Sequence, residues 1–312
     1  MLEGLTKATF SGLAASGVLK RVASRYGMRR GSSFARRFIA GETVGEAIEA
    51  ARAIERAGLM VTLDYLGERV TSAAAATEAT GAYIAIVAEI ERAGISRNLS
   101  VKLTQLGIEV DRATSVDNLR RVLDATAKAE CFVRIDMEQS TYTEQTLDIF
   151  ETLWNIGYHN AGVVIQSYLR RSAADVQRLN ALGARIRLVK GAYNERRDVA
   201  FQQKSEVDAT FIDLMKVLVT QGTYPAIATH DPAMIAATQN FALAKGIRKE
   251  QYEFQMLYGI RRDLQARLAG EGHPFRVYIP FGRDWFPYFM RRLGERPANV
   301  GFVVKSVLSE QR

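Results

Sequence analysis

Arg291 and Arg292 stand side by side in YIPFGRDWFPYFMRRLGERPAN, Tyr278 to Asn299, and two adjacent guanidiniums make a clamp for an anion. The planar fork of arginine offers paired donors to a carboxylate and stays charged at any working pH. From Trp285 onward the apolar residues recur at helical spacing, which puts Tyr288 one turn before the arginine pair. A tyrosine and two arginines so placed suit a small carboxylate ligand. They suit equally a solvated basic helix end, with Arg291 and Glu295 as an exposed i, i+4 pair worth roughly a few tenths of a kcal/mol. The segment alone leaves both readings open.

Other polar residues stand where β-rich runs end. MVTLDYL from Met60, LSVKLTQ from Leu99, CFVRIDM from Cys131 and AGVVIQS from Ala161 carry Asp64, Lys102, Asp136 and Gln166. RIRLVKG from Arg185, YPAIATH from Tyr224, QYEFQM from Gln251 and FRVYIPF from Phe275 carry Arg187 with Lys190, Thr229 with His230, Gln255 and Tyr278. Enough chain for a helix separates each run from the next. About eight such alternations predict an α/β protein whose parallel sheet closes as a (β/α)8 barrel, with an open doubly wound sheet as the alternative. A parallel barrel gathers the C-terminal ends of its strands on one face, so the set reads as an active-site rim. Each member taken singly is also compatible with a satisfied structural polar group.

The helices that must carry this rim are legible. In GETVGEAIEAARAIERAG, Glu42 and Thr43 can begin a helix, apolar residues repeat at helical spacing, and Gly58 can end it. VDNLRRVLDATAKAE and SEVDATFIDLMKVLVTQG present charged faces that an outer helix ring leaves in water. No low-complexity tract or long Pro/Gly linker interrupts the chain. The expected organisation is an N-terminal helical arm over residues 1–45 and one catalytic barrel domain over residues 46–312.

With 312 residues and 47% hydrophobic content the chain can bury a barrel-sized core. No continuous apolar run approaches the roughly 18 residues that span a bilayer, and the start lacks the pattern of a secretory signal. Cys131, the single cysteine, cannot form an internal disulfide and reads as a buried strand residue. A reducing, cytoplasmic setting is expected. The net charge is +8, and Lys20, Arg21, Arg25, Arg29, Arg30, Arg36 and Arg37 crowd the arm. The arm lacks zinc spacing and the aromatic sheet signature of nucleic-acid modules, so no nucleic acid and no metal are expected. A solvated arm and a peripheral contact with anionic lipid on the inner face of the membrane remain as its readings.

Taken together these residues resemble the flavin-dependent proline dehydrogenases over nearly the whole chain. The carriers are Tyr278, Pro280, Phe281-Gly282, Trp285, Tyr288, Arg291-Arg292, Glu295-Arg296-Pro297 and Asn299. Lys102 in VKLTQLG, Asp136-Met137 in RIDME, Gln166-Ser167-Tyr168, Arg187 with Lys190-Gly191-Ala192-Tyr193, and Thr229-His230 in ATHD look like further signatures. Phe281 stands where the family often has tyrosine, and Tyr65 where leucine is common.

The resemblance implies a distorted (β/α)8 barrel whose last helix lies over the mouth. It also implies oxidation of L-proline to Δ1-pyrroline-5-carboxylate by hydride transfer from C5 to N5 of a noncovalent FAD, with electrons passed to a membrane quinone. Arg291 and Arg292 would hold the proline carboxylate with Lys102 as a third cation, and Tyr278, Tyr288 and Leu257 would wall the ring. Asp136 would anchor the network around Lys102. Arg187 would lie near flavin N5, with Met137 and Gln166 at the isoalloxazine edge and Lys190, Gly191 and Ala192 in the loop beside the cofactor. Thr229 and His230 look like ribityl or pyrophosphate contacts, although His230 alone could equally be a core histidine. Glu68 is the expected gate partner of Arg291, with Glu295 as its competitor. Little chain follows Asn299, so a monofunctional enzyme is expected, its product passing to a separate pyrroline-5-carboxylate dehydrogenase. A Schiff-base aldolase using Lys102 or Lys190, and a nonenzymatic basic binding module, are the rival classes.

Overall fold

The computed structural model describes residues 34–67 and 69–295. Most of the N-terminal arm, Glu68 and the Arg296 to Asn299 end of the motif lie outside them, as does the side chain of Glu295. A helix α1 (Val44–Glu55) precedes strand β1 (Met60–Tyr65). There follow α2 (Ala73–Ala93), β2 (Asn98–Val101), α3 (Arg112–Lys128), β3 (Phe132–Ile135), α4 (Thr143–Asn155), β4 (Ala161–Gln166), α5 (Ser172–Ala181) and β5 (Arg185–Val189). The chain continues through α6 (Lys204–Gln221), β6 (Ala226–Ala228), α7 (Pro232–Ala244), β7 (Glu253–Leu257), α8 (Arg262–Gly270), β8 (Phe275–Phe281) and α9 (Trp285–Glu295). All eight strands are parallel, and β1 pairs with β8 from Met60↔Arg276 to Tyr65↔Phe281, which closes the barrel. The doubly wound alternative is thereby excluded.

Local sequence explains the boundaries. Thr43 caps α1 in a reciprocal capping box with Glu46, and Asp111 and Ser72 cap α3 and α2 through their side chains. Gly58 takes a positive φ just past α1, where an L side chain would be strained. Helix α2 is, among the described helices, long and apolar enough on average to cross a membrane. Its many alanines supply much of that average, and its face of Tyr83, Ile86, Val87 and Ile90 is buried in the core with strand residues such as Val61, Leu99 and Val101.

Alternation along the strands separates two environments. Val61, Leu63, Leu99, Val101, Val133, Ile135, Ile186, Leu188, Val277 and Ile279 face outward and form the apolar layer under the helices. The inward set of β1, β2, β3, β5, β7 and β8 is largely polar, with Thr62, Asp64, Ser100, Lys102, Arg134, Asp136, Arg187, Glu253, Gln255, Arg276 and Tyr278. Barrel lumens are commonly filled by branched aliphatic side chains, so this one must be held by hydrogen bonds and ion pairs instead.

Helix α9 belongs to a separate apolar seam. Trp285, Phe286, Tyr288, Phe289 and Met290 pack with Ala35, Phe38, Ile39 and Leu66, and Ile260 adjoins them. Leu66 and Ile260 follow the C-terminal ends of β1 and β7, so the helix lies on the rim side of the barrel. The Trp285 indole donates to Glu42 Oε1 at 3.0 Å, and the Ala40 and Gly282 amides donate to the carbonyls of Pro280 and Gly41 at 2.9 Å each. Residues 35–42 thus hold the helix down.

Gly259 makes the seam possible. Its φ is +74°, and a Cβ there would fall 1.6 Å from the Arg37 carbonyl oxygen. Gly246 has a similar φ of +66° with nothing within 4 Å. In thermal and urea unfolding, Gly246→Ala is expected to cost about 1 kcal/mol from backbone strain alone. Gly259→Ala is expected to cost at least about 3 kcal/mol, and equal losses in the two variants would show that the close approach to Arg37 is relaxed without penalty.

Candidate active site

The rim is built on a chain of bonds that crosses the lumen. At the end of β1, Asp64 is fully buried, and its Oδ1 accepts a hydrogen bond from the Lys102 ammonium just beyond β2. The Tyr278 hydroxyl lies 3.4 Å from that ammonium and Asp136 Oδ2 lies 3.7 Å from it. Asp136 accepts from Arg187 Nη1 at 2.7 Å and from the Tyr278 hydroxyl at 2.7 Å. Arg187 also donates through Nε to Gln255 at 2.6 Å and through Nη2 to Ser100 at 3.3 Å, and its guanidinium stacks over the Tyr278 ring at 5.3 Å. Strands β1, β2, β3, β5, β7 and β8 are tied together by these side chains.

The electrostatics follow from burial and pairing. Burial lowers the affinity of Lys102 for its proton, but Asp64 and Asp136 outweigh that effect, so its pKa lies above the ordinary lysine value and the ammonium persists. Burial raises the Tyr278 hydroxyl well above its usual pKa, and the Asp136 and Asp64 carboxylates add to the effect. The phenol therefore remains a donor. Asp64, Asp136, Lys102 and Arg187 set two carboxyls against two cations, with burial raising the Asp64 carboxyl above its ordinary range against the pull of Lys102.

Asp136 is expected to anchor the network around Lys102, and in the structure Asp64 shares that place with it, as the hydrogen-bonded partner of the ammonium. The physical reason is adjacency: β1 and β2 are paired neighbours, with Asp64 opposite Ser100 two residues before Lys102. Asp136 lies farther from that ammonium, at 3.7 Å, and is hydrogen-bonded to Arg187 and Tyr278. Asp64 stood in the rim set read from sequence but was given no role there, and its inward parity with Thr62 on a strand beside Lys102 was the available signal.

The other residues divide between the open rim and supporting structure. Gln166 Nε2 donates to the Glu138 carbonyl at 2.9 Å. Glu138 itself has a carboxyl raised above the ordinary range by burial, opposed by a hydrogen bond from the Thr104 hydroxyl at 2.7 Å. Met137 is buried in the apolar layer rather than open at the rim. Lys190 is bound by Asp208 and by Asp231, the latter at 2.7 Å. His230 Nε2 accepts from the Leu257 amide at 3.0 Å, a core use of the ring that fixes the end of β7. Thr229 Oγ1 accepts from the Asp231 amide at 3.1 Å and keeps its own proton for donation. Gly191 has φ +116°, and a Cβ would meet the Tyr168 ring at 2.4 Å, so the loop with exposed Ala192 can turn only with glycine there.

On α9 the Arg292 guanidinium lies over the Tyr288 ring at 5.0 Å, and Tyr288 is buried in the apolar seam. Burial raises the Tyr193 pKa, Glu138 adds to the rise, and Arg291, Lys102 and Asp136 also act on it. Tyr193 therefore sits within electrostatic reach of both α9 and the barrel rim. The sequence marks it only as part of a signature, because its strand-to-helix loop has no periodicity that fixes a side-chain direction. Among the described residues no group of His, Cys, Asp and Glu has the arrangement of a metal site.

Arg187 tests what the rim can hold. Of the five N–H donors of an arginine, three are used by Gln255, Asp136 and Ser100, leaving two at a rigidly fixed cation. With the Gln166 oxygen and the Thr229 hydroxyl this donor and acceptor set fits a flat heteroaromatic ring rich in nitrogen and oxygen.

Residues 47–305 match the family model described as Proline dehydrogenase. Proline dehydrogenase 1 of Bacillus subtilis is 40% identical over 298 residues, covering 96% of this chain and 97% of that protein. Proline dehydrogenase of Deinococcus radiodurans is 42% identical over 280 residues, covering 88% and 90%. Among solved structures, proline utilization A from Bdellovibrio bacteriovorus inactivated by N-propargylglycine superposes with a TM-score of 0.78 at 30% identity. That match covers 83% of this chain and 32% of the larger one.

Asp64→Asn removes the nearest negative charge from a buried ammonium and leaves Asp136 at 3.7 Å as its remaining carboxylate. Urea unfolding is expected to show a loss of about 3 kcal/mol. An unchanged midpoint would mean that Asp136 alone compensates Lys102.

Proposed function

The chain belongs to the proline dehydrogenase family, and from that premise we propose that it oxidises L-proline to Δ1-pyrroline-5-carboxylate with noncovalent FAD, the first step of proline catabolism. The observation that carries this reading is a charge-balanced rim of Asp64, Lys102, Asp136 and Arg187 with the cationic pair Arg291 and Arg292 on α9 at the same end of the barrel. A balanced floor has little net attraction for an anion, so the arginines of α9 are the groups assigned to the substrate carboxylate.

FAD, when bound, supplies the two-electron acceptor, flavin N5, for the hydride that leaves proline C5. Arg187, Gln166 and Thr229 have donor or acceptor capacity to hold it, and Gly191 and Ala192 keep the adjoining loop free of bulk. Lys190 and His230, bound to Asp208, Asp231 and Leu257, serve by fixing the loops around it, and Met137 packs beneath them. Arg291 and Arg292 orient the carboxylate while Tyr278 and Leu257, at the ends of β8 and β7, border the ring. Tyr288 supports the clamp from within the seam. Fixing the substrate in this way converts binding energy into orientation.

Hydride departure needs a neutral amine. Lys102, Arg291 and Arg292 lower the pKa of a nearby substrate amine by like-charge repulsion, so its proton can leave without a dedicated base. Lys102 cannot serve as that base, since Asp64 and Asp136 keep it protonated. The same fact disfavours a Schiff-base aldolase, whose lysine must become neutral to attack a carbonyl. We assign a quinone as electron acceptor, a separate pyrroline-5-carboxylate dehydrogenase as the next enzyme, and a peripheral membrane contact to the basic arm.

The purified protein is expected to carry a visible flavin band that L-proline bleaches; a colourless chain that cannot take up FAD overturns the proposal. Arg291→Ala or Arg292→Ala should raise the proline KM roughly tenfold or more with FAD affinity nearly unchanged. Loss of FAD instead would reassign the pair to the cofactor. If Glu68 holds Arg291 in a closed site, Glu68→Ala should raise KM or slow flavin reduction in a rapid-mixing experiment, and unchanged kinetics remove the gate.

A further inference from the structure

The lumen has a second charged level at the N-terminal ends of the strands, away from the catalytic rim. Among the described residues it contains Arg134, Arg185, Arg276 and Glu253, three guanidiniums with one carboxylate. Glu253 is committed to Arg276, whose Nε and Nη2 donate to its two oxygens at 2.9 and 3.0 Å, and Gln255 donates to it as well. Burial acts to raise the Glu253 carboxyl, but the Arg276 charge outweighs it, so the pKa falls below the ordinary value and the group is ionised.

Arg134 has no such partner among the described residues. It is 3% exposed, and its Nη1 donates to the carbonyl oxygens of Val163 at 3.0 Å and Arg185 at 2.5 Å, which are dipoles and not charges. Arg185 is only partly buried, yet its Nε is buried with no hydrogen-bond acceptor. Both guanidiniums lie against the ring of Phe132, at 4.9 and 4.5 Å from its centroid, and Arg185 also lies 4.8 Å from the Tyr224 ring. Gly162 opens the space, since a Cβ there would stand 2.8 Å from both Arg134 Nη1 and Phe132 Cζ. Tyr224 covers Arg185 from a left-handed backbone with φ 44°, a conformation costly for a tyrosine.

Ring faces offset part of a buried positive charge, but two guanidiniums share Phe132 and neither meets a carboxylate among the described residues. Arginine does not escape by losing its proton. Burial, with repulsion from Arg187 and Arg185, outweighs the attraction of Glu253 and pushes the Arg134 pKa well down, the mark of a cation only partly compensated. A negative charge supplied from solution would relieve the electrostatic penalty of both guanidiniums.

We infer that the N-terminal end of the barrel binds a small inorganic anion of the halide class, held by Arg185 and Arg134 against Phe132 and Tyr224. The aromatic walls favour a weakly hydrated monovalent ion. The partly exposed Arg185 marks the way in, and the ion completes the charge pairing of the lumen from below. The rival account is a plug whose cations are compensated by ring faces alone.

Two measurements on the full-length protein decide between them. Thermal unfolding is compared in sodium chloride and sodium gluconate at equal ionic strength, and crystals grown in bromide are examined for anomalous scattering. The expected results are a midpoint higher by about 2 °C or more in chloride and a bromide peak in contact with Arg185 and Arg134. Arg185→Gln should abolish the difference between the two salts. Equal midpoints for the unaltered protein, or bromide found only elsewhere, overturn the inference. The bromide crystal separates the two accounts even if Arg185→Gln does not fold.

Discussion

Enclosing charge in a barrel is costly unless it meets opposite charge, and that constraint organises the rim of this molecule. Four of the strand ends around the rim deliver Asp64, Lys102, Asp136 and Arg187, and each finds its opposite across a strand or across the lumen. An isolated ion in that position would cost several kcal/mol, more than most single contacts return. The pairs are linked in turn to uncharged groups: Arg187 reaches Gln255 and Ser100, and Gln255 reaches Glu253. Rim and base of the lumen therefore form one connected network. Such a network holds its members in single positions, which is the condition for orienting a substrate.

The apolar layer does separate work. Outward-facing valine, leucine and isoleucine residues bind the helix ring to the strands and leave the lumen to polar groups. Because the two sets alternate along each strand, a one-residue slip would put charge under the helices and aliphatic groups in the lumen. Helix α9 stands outside that division. It is fastened by the seam with Phe38, Ile39 and Leu66, which requires the backbone of Arg37 to pass close over Gly259. The clamp arginines are therefore positioned by residues at both ends of the described chain.

Much of this was legible beforehand. The strands appeared where β-rich runs were read, since each run lies between helix-length stretches and begins or ends on a turn or polar residue. The start of α1 at Thr43 and the helix from Trp285 followed from capping chemistry and apolar spacing. Less legible were the partnerships inside the lumen. Lys102 had two aspartates within plausible reach, and composition does not say which neighbouring strand brings its carboxylate closer. Lys190 and His230 both lie just past strand ends, which does not show that Lys190 meets Asp208 of α6 and Asp231 at the start of α7, or that the His230 ring meets the Leu257 backbone. Met137 packs in the apolar layer because it shares the outward parity of Ile135.

The sequence by itself determined the alternation of elements and the set of polar residues at the strand ends, and it favoured a closed parallel barrel over an open sheet, a choice that the pairing of β1 with β8 decided. Those depend on periodicity, capping and turn chemistry, which act over a few residues and are written locally. The tertiary structure decided which carboxylate holds which cation, that Asp64 and not Asp136 is the direct partner of Lys102, and that the base of the lumen carries more guanidiniums than carboxylates. Those depend on strand register and on which inward side chains share a level. Coulombic attraction and desolvation act through that spatial proximity, across separations in sequence that no local pattern records.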